Sequence, residues 1–287
     1  MTSIFFPIKP LHSLKISKYH QFVSFLKTPL LCQDNLNSIE QLHIPIQEID
    51  TDELEDYINF PDKEVLGKRI ERLFEYYLQQ HPNYDVLAKN IQIIDDKITI
   101  GELDFIFLDR NNDNSIHLEL VFKFYLYDPT AGKELERWIG PNRKDRLVDK
   151  LSKLKEKQLP LLFKEETQSA LKKLYITPKK WTQKVCFKAN LFIPVSYKNK
   201  PFPIINNTCI CGYWIPVKEF QQKEYQNYLF HIPEKKYWMV DPKYNEEWDN
   251  FENIYPEIDR LIRIKRSPLL WLKNKEDQYF RLFIVWW

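Results

Sequence analysis

Three carboxylates and one amine stand in an order that suits chemistry on a phosphodiester. Glu71 ends the run Leu66-Gly67-Lys68-Arg69-Ile70-Glu71, inside a stretch of helical periodicity. Asp104 closes Gly101-Glu102-Leu103-Asp104 near the head of an apolar strand, and Glu119 and Lys123 share His117-Leu118-Glu119-Leu120-Val121-Phe122-Lys123. Carboxylates so spaced suit Mg2+ or Mn2+, hard cations that take a few protein oxygens and keep several waters. Such a cation stabilises charge and lowers the pKa of an attacking water, while a nearby lysine offsets negative charge as it develops. On this reading Asp104, Glu119 and Glu71 are metal ligands and Lys123 is their electrostatic partner. The plainer reading leaves Asp104 and Glu119 on the solvated face of a half-exposed sheet.

A second group is basic. Arg143, Lys144, Arg146, Lys150, Lys153 and Lys157 crowd one segment, interleaved with Asp145, Asp149 and Glu156. Such a segment neutralises the phosphates of a nucleic acid, or it is a solvated helix face laced by i,i+4 ion pairs; both readings stay open. His117 shares a strand face with Glu119, either as a donor to substrate or as a packed histidine. Cys209-Ile-Cys211 has neither a second close pair nor a nearby His to complete a metal site, so plain thiols in a reducing cytoplasm are expected.

The elements that must position these groups are legible from periodicity. A helix is expected over Ser17–Leu26, stopped by Thr28-Pro29, and a clearer one over Glu64–Gln80 with Val65, Leu66, Ile70, Leu73, Phe74, Tyr77 and Leu78 on one stripe. Strands follow at Ala88–Ile94, Ile98–Leu108 and Ile116–Leu126, the last with His117, Glu119, Val121, Lys123 and Tyr125 on one face. Asn142 is a candidate cap for a helix running to about Gln158. Later strands are expected at Cys186–Val195, Thr208–Val217, Tyr237–Val240 and Tyr279–Trp287, in a region that holds most of the tryptophans. Gly67, Gly101 and Gly140 punctuate the charged positions, as expected of turns in which a side chain would not fit.

With 42 basic and 40 acidic residues the net charge is only +2, so any nucleic-acid footprint must be local. No apolar run is long enough to span a membrane, and the N-terminus lacks the apolar core and cleavage site of a signal peptide.

The order Gly67-Lys-Arg-Ile-Glu71, Gly101-Glu-Leu-Asp104, Glu119…Lys123 resembles the PD-(D/E)XK nuclease superfamily. More specifically, GELDFIF at 101–107, HLELVFKFYL at 117–126, WIGPNRKDRLVDKL at 138–151, GYWIP at 212–216, TPLLC at 28–32 and RLFIVWW at 281–287 resemble a bacterial family known as domain of unknown function 1853. The resemblance implies an α/β (α+β) fold with a restriction-endonuclease-like α-β-β-β-α core at 61–165. A helical N-terminal arm at 1–60 and a β-rich aromatic region at 166–287 would flank it. It implies metal-dependent hydrolysis of DNA or RNA; the alternative is a non-catalytic module that binds nucleic acid or protein on the same scaffold. In one respect the chain departs from the superfamily's pattern. The superfamily's lysine stands two residues after the strand acid, whereas here Val121 fills that slot and Lys123 lies four residues on. Four residues keep the same strand face but stretch the separation to about 13 Å from about 7 Å.

Overall fold

The computed structural model describes residues 16–33, 35–36, 39–45, 51–178 and 180–287. The first fifteen residues of the expected N-terminal arm lie outside it. The rest of that arm holds α1 (Lys18–Lys27), a short antiparallel pair of β1 (Asn35–Leu36) and β2 (Ile39–Glu40), and α2 (Thr51–Tyr57). Ser17 caps α1 by accepting from the His20 N–H at 3.1 Å, the usual use of serine at this position.

Next come α3 (Leu66–Gln80), the strands β3 (Tyr84–Asp95), β4 (Ile98–Asp109) and β5 (Asn114–Tyr127), the two-residue β6 (Trp138–Ile139) and α4 (Leu147–Lys153). The order α-β-β-β-α therefore stands. A π-helical turn, Leu154–Gln158, joins α4 to α5 (Leu159–Leu161), and α6 (Glu165–Lys173) follows. The remaining chain contributes β7 (Trp181–Pro194), β8 (Ile210–Pro216), α7 (Gln222–Tyr225), β9 (Leu229–His231), α8 (Phe251–Arg263), β10 (Leu269–Lys273) and β11 (Tyr279–Val285).

Nine strands form one mixed sheet in the order β3-β4-β5-β7-β8-β11-β10-β9, with β6 beside β5. The β3-β4-β5 meander is antiparallel, β5-β7-β8-β11 are parallel, and β10 and β9 return antiparallel. The aromatic region after 166 is thus no separate layer: β7 runs beside β5 over twelve residue pairs from Ser115↔Trp181 to Leu126↔Phe192. Because β5 is central and parallel to β7, helices cover both of its faces, the usual state of parallel strands. Leu118, Phe124 and Leu126 belong to one buried cluster with residues of α1 and α3, while Val121 and Tyr125 belong to another with Leu147, Leu151 and Leu154. His117 and Glu119, which would stand in water on a half-solvated sheet, are fully buried instead.

Two expected elements are different. Asn142 does not cap a helix; its Oδ1 accepts from the Ser267 N–H at 2.8 Å, and α4 starts only after Arg146. Tyr237–Val240 is not a strand but a tight turn after a 3-10 helix, with the Val240 N–H donating to the Tyr237 carbonyl. Nor are the glycines left-handed: none has a positive φ. Gly101 is required by close approach, since a Cβ there would lie 2.5 Å from Cδ2 of the buried Leu161. That contact seats α5 on β4. Gly67 has nothing within 4 Å of an added Cβ.

Two alanine substitutions should therefore move stability in opposite directions. Gly101→Ala overpacks a filled cluster and should cost about 1–3 kcal/mol. Gly67→Ala, in an open helical position, should gain roughly 0.5–1 kcal/mol. Urea unfolding of both variants checks this, and shifts of the same sign would overturn the account.

Candidate functional site

The site is built where β4 leaves β5. The two strands pair from Asp109↔Asn114 to Phe105↔Leu118, and one further step in this register sets Asp104 opposite Glu119. The ladder stops there. The Leu120 N–H donates at 2.9 Å to Oδ2 of Asp104, so a side chain takes the place of a backbone acceptor. β4 stays paired with β3 back to Ile98 and the hairpin peels away, leaving β5 from Leu120 to Phe124 with an open edge. A cavity of about 310 Å³ occupies this wedge, lined by Glu71 of α3, Lys123 of β5, Asp145, Lys150 of α4, and Lys235 and Trp238 from the later chain. Elements from both faces of the sheet meet in it because no strand separates them.

Asp104 and Glu119 do not line this cavity and are held in a chain of polar contacts. His117 Nε2 is 3.1 Å from Glu119 Oε1, and Gln183 Nε2 donates to His117 Nδ1 at 2.9 Å and to the Leu159 carbonyl at 2.7 Å. An amide N–H on Nδ1 makes that nitrogen an acceptor, so Nε2 carries the proton and donates to Glu119. Burial holds the imidazole down at about 4, which keeps it neutral. On the other side Gln158 Nε2 donates to Glu119 Oε2, and Lys150 Nζ donates to Gln158 Oε1 at 2.7 Å.

Charge in this pair is under tension. Burial, then the neighbouring Glu119, push the Asp104 carboxyl up to about 7; Glu71 adds to the same trend and Lys150 opposes it. Burial pushes Glu119 up to about 7 as well, opposed by Lys150 and Lys153. Lys150 is itself lowered by burial, with Glu119 and Asp104 pulling it back. Asp104, Glu119 and Lys150 are therefore one electrostatic unit.

The expected residues divide as follows. Asp104 and Glu119 are brought together. Glu71 approaches closely enough to perturb Asp104, but its carboxylate is bonded to Lys68 Nζ at 2.7 Å. Lys123 reaches the cavity, yet its amine is held 2.9 Å from Asp145 Oδ2. The amine coupled electrostatically to the two carboxylates belongs to Lys150, expected to contact phosphate from a helix surface; Gln158 stands between it and Glu119. Gly140 makes the Lys123–Asp145 pair feasible, because a Cβ there would fall 2.0 Å from Asp145 Oδ1. Of the other basic residues, Arg143 pairs with Asp128 at 2.8 Å and lies over the Trp287 ring, while Arg146 is bidentate to Asp149 at 2.8 and 2.7 Å. Lys144, Lys153 and Lys157 are exposed.

The role of Lys150 did have a signal in the sequence. Leu147, Leu151, Leu154 and Gln158 follow helical spacing toward the sheet, and Lys150 stands on that same stripe, where a lysine is costly unless it meets an acid. Gln158 is set by the π turn. The Leu159 N–H donates to the Leu154 carbonyl, one residue wider than an α-helix, just before Pro160, which has no N–H to continue the α pattern.

As a metal centre, the set present is two acidic oxygen donors whose mutual repulsion favours a cation. Among the described residues no three His, Cys, Asp or Glu side chains are grouped to hold a metal ion. Two oxygen-donor side chains, Asp104 and Glu119, lie together, both oxygens of Glu119 already accept hydrogen bonds, and the three-carboxylate set expected with Glu71 is not assembled.

A family model for a domain of unknown function, DUF1853, matches residues 20–285. The chain belongs to this family. No curated protein and no solved structure matches it. The matched span includes every site residue named above and both ends of the sheet. Among the described residues no helix is long and apolar enough to cross a membrane.

The raised carboxylates give a pH dependence with a definite sign. Asp104 has a folded pKa near 7 against an ordinary 3.8, so the stability that it contributes is present below about 4 and lost as pH rises through about 7. In chelator-treated protein the melting temperature should fall between acidic and mildly alkaline pH. Asp104→Asn keeps an acceptor for the Leu120 N–H without the charge. It should flatten that fall and be more stable than wild type on the alkaline side, by on the order of 1–2 kcal/mol. Parallel pH profiles for the two proteins would show that Asp104 is not under charge tension.

Proposed function

We propose that this chain is a metal-dependent nuclease whose α3-β3-β4-β5-α4 segment is a restriction-endonuclease-like core. The observation that carries the reading is the pair Asp104 and Glu119 across diverging strands, coupled electrostatically to Lys150, whose amine is joined to Glu119 through Gln158. A divalent cation, Mg2+ or Mn2+, would be held by Asp104 and Glu119 and would supply charge neutralisation and a more acidic water. Lys150 links the carboxylates to the cavity and is placed to offset charge developing on a phosphoryl oxygen, the role expected of Lys123. Gln158 holds the Lys150 amine, and His117 with Gln183 fixes the rotamer of Glu119. The substrate is DNA or RNA, met first by the exposed Lys144, Lys153 and Lys157. Four free cysteines fit a reducing cytoplasm.

A second reading, a scaffold that binds nucleic acid or protein without turnover, draws on one observation: both oxygens of Glu119 already accept hydrogen bonds from His117 and Gln158. Cleavage assays with Mn2+ on single-stranded, duplex and branched DNA and RNA decide between the two. The nuclease reading expects wild-type cleavage. It expects Asp104→Asn and Lys150→Met each to lose about 100-fold or more, as for removal of a preorganised charge, with a smaller loss for Lys123→Met. Inert wild-type protein leaves only the scaffold. Activity that survives Lys150→Met but not Lys123→Met would return the catalytic amine to β5.

A further inference from the structure

A second concavity, of about 210 Å³, lies between the end of α1 and the strands β7, β8 and β11. Its polar lining comes from Lys27, Thr28, Asn190, Thr208, Asp241 and Arg281, with the thiol of Cys211 among them. The sheet is irregular here. Leu191 pairs with Ile210 but Phe192 pairs with Gly212, so Cys211 is an extra residue on β8. Such a bulge breaks alternation and re-aims a side chain. The Cys211 thiol donates to Asn190 Oδ1 at 3.5 Å, which fixes the amide of this lining residue. The Nδ2 of that amide has no hydrogen-bond partner, although Asn190 is only 4% exposed.

Arg281 presents a matching group. Its Nη2 donates to the carbonyls of Met239 and Val240 at 3.2 and 3.0 Å, which anchors the guanidinium. Its Nε is buried without a partner, and among the described residues no carboxylate forms an ion pair with it. Cys211 lies beside this guanidinium, but a thiol sulfur is a weak acceptor. Asp241, the acid on the lining, is engaged by its own turn: Oδ1 accepts from the Lys243 N–H at 3.1 Å and Oδ2 faces Lys243 Nζ at 3.7 Å.

Two fixed donors, one of them cationic, therefore share a cavity with an exposed lysine at its rim. Each donor left unsatisfied carries a penalty of about 1–3 kcal/mol. A water molecule offers lone pairs and no charge, whereas an oxyanion satisfies the donors and the guanidinium together. We propose that this cavity binds a small oxyanion, the carboxylate or phosphate group of a ligand, through Arg281 Nε and Asn190 Nδ2, with Lys27 at the mouth. The site shares no residue with the Asp104–Glu119–Lys150 cluster, so it stands independently of the nuclease reading.

The test is titration of the full chain with inorganic phosphate and, separately, malonate at ionic strength matched with sodium chloride, followed by calorimetry and thermal shift. At least one anion should bind and raise the melting temperature. Asn190→Asp, which replaces a donor with a like charge, should weaken binding about tenfold or more. The exposed Lys27→Ala should weaken it severalfold without disturbing the fold, and it decides the matter if Asn190→Asp does not fold. Lys150→Met should bind as wild type does. No binding of either anion beyond the chloride control overturns the proposal. So does binding that survives Lys27→Ala unchanged, or binding lost in Lys150→Met, which would place the anion in the other cavity.

Discussion

The architecture around the candidate site depends on the hydrogen bond from the Leu120 N–H to the Asp104 carboxylate. It ends one ladder and begins a wedge. Had β4 continued beside β5, the Leu120 N–H would meet a backbone carbonyl, and α3 and α4 would remain on opposite faces of a closed sheet. Because a side chain takes over, Asp104 is fixed without a ladder partner, and Gly67 and Glu71 reach the same cavity as Lys150. The same substitution draws a charged group into a place where it is poorly hydrated. Lys150 offsets part of that cost.

The later chain completes the site rather than standing apart from it. β7 buries the far edge of β5, and Gln183 on β7 is the residue that orients His117. Lys235 and Trp238 close one end of the cavity. The C-terminus braces the loop that carries Asp145: Trp287 Nε1 donates to the Pro141 carbonyl at 3.2 Å and its ring lies under the Arg143 guanidinium. Aromatic residues near the end of the chain thus act largely as core and as struts. Trp271 and Phe283 are fully buried, and Trp238 packs edge-on against Phe124 and Phe283.

Local chemistry also explains the form of the helix that carries Lys150. A regular α-helix through Leu154–Gln158 would ask Pro160 for a hydrogen bond that it cannot donate and press its ring on the preceding turn. The wider π turn relieves this and redirects Gln158, which then joins the amine of Lys150 to the carboxylate of Glu119. Single π turns within helices are frequent at functional sites.

Much of this was determined by the sequence alone. The stripe of Leu66, Ile70, Leu73, Phe74 and Tyr77 specified α3, and the alternation through Ile116–Leu126 specified which side chains share a face of β5. Short connections made the β3-β4-β5 meander the natural pairing, and these are local properties set by periodicity and turn length. Periodicity could not decide whether the Glu119 face met water or protein, since a strand buried on both sides and one buried on a single side can carry the same alternation at a charged position. That was settled by β7, more than fifty residues away in the chain, which made β5 central. Which lysine, Lys123 or Lys150, is coupled to the two carboxylates was likewise a tertiary matter. Both lie on faces that reach the carboxylates in principle, but Asp145, fitted against Gly140, holds the first, while the packing of α4 on β5 delivers the second. A one-dimensional pattern records which residues share a face; only the packing of distant segments fixes which charges are desolvated together, and burial is what gives those charges their chemistry.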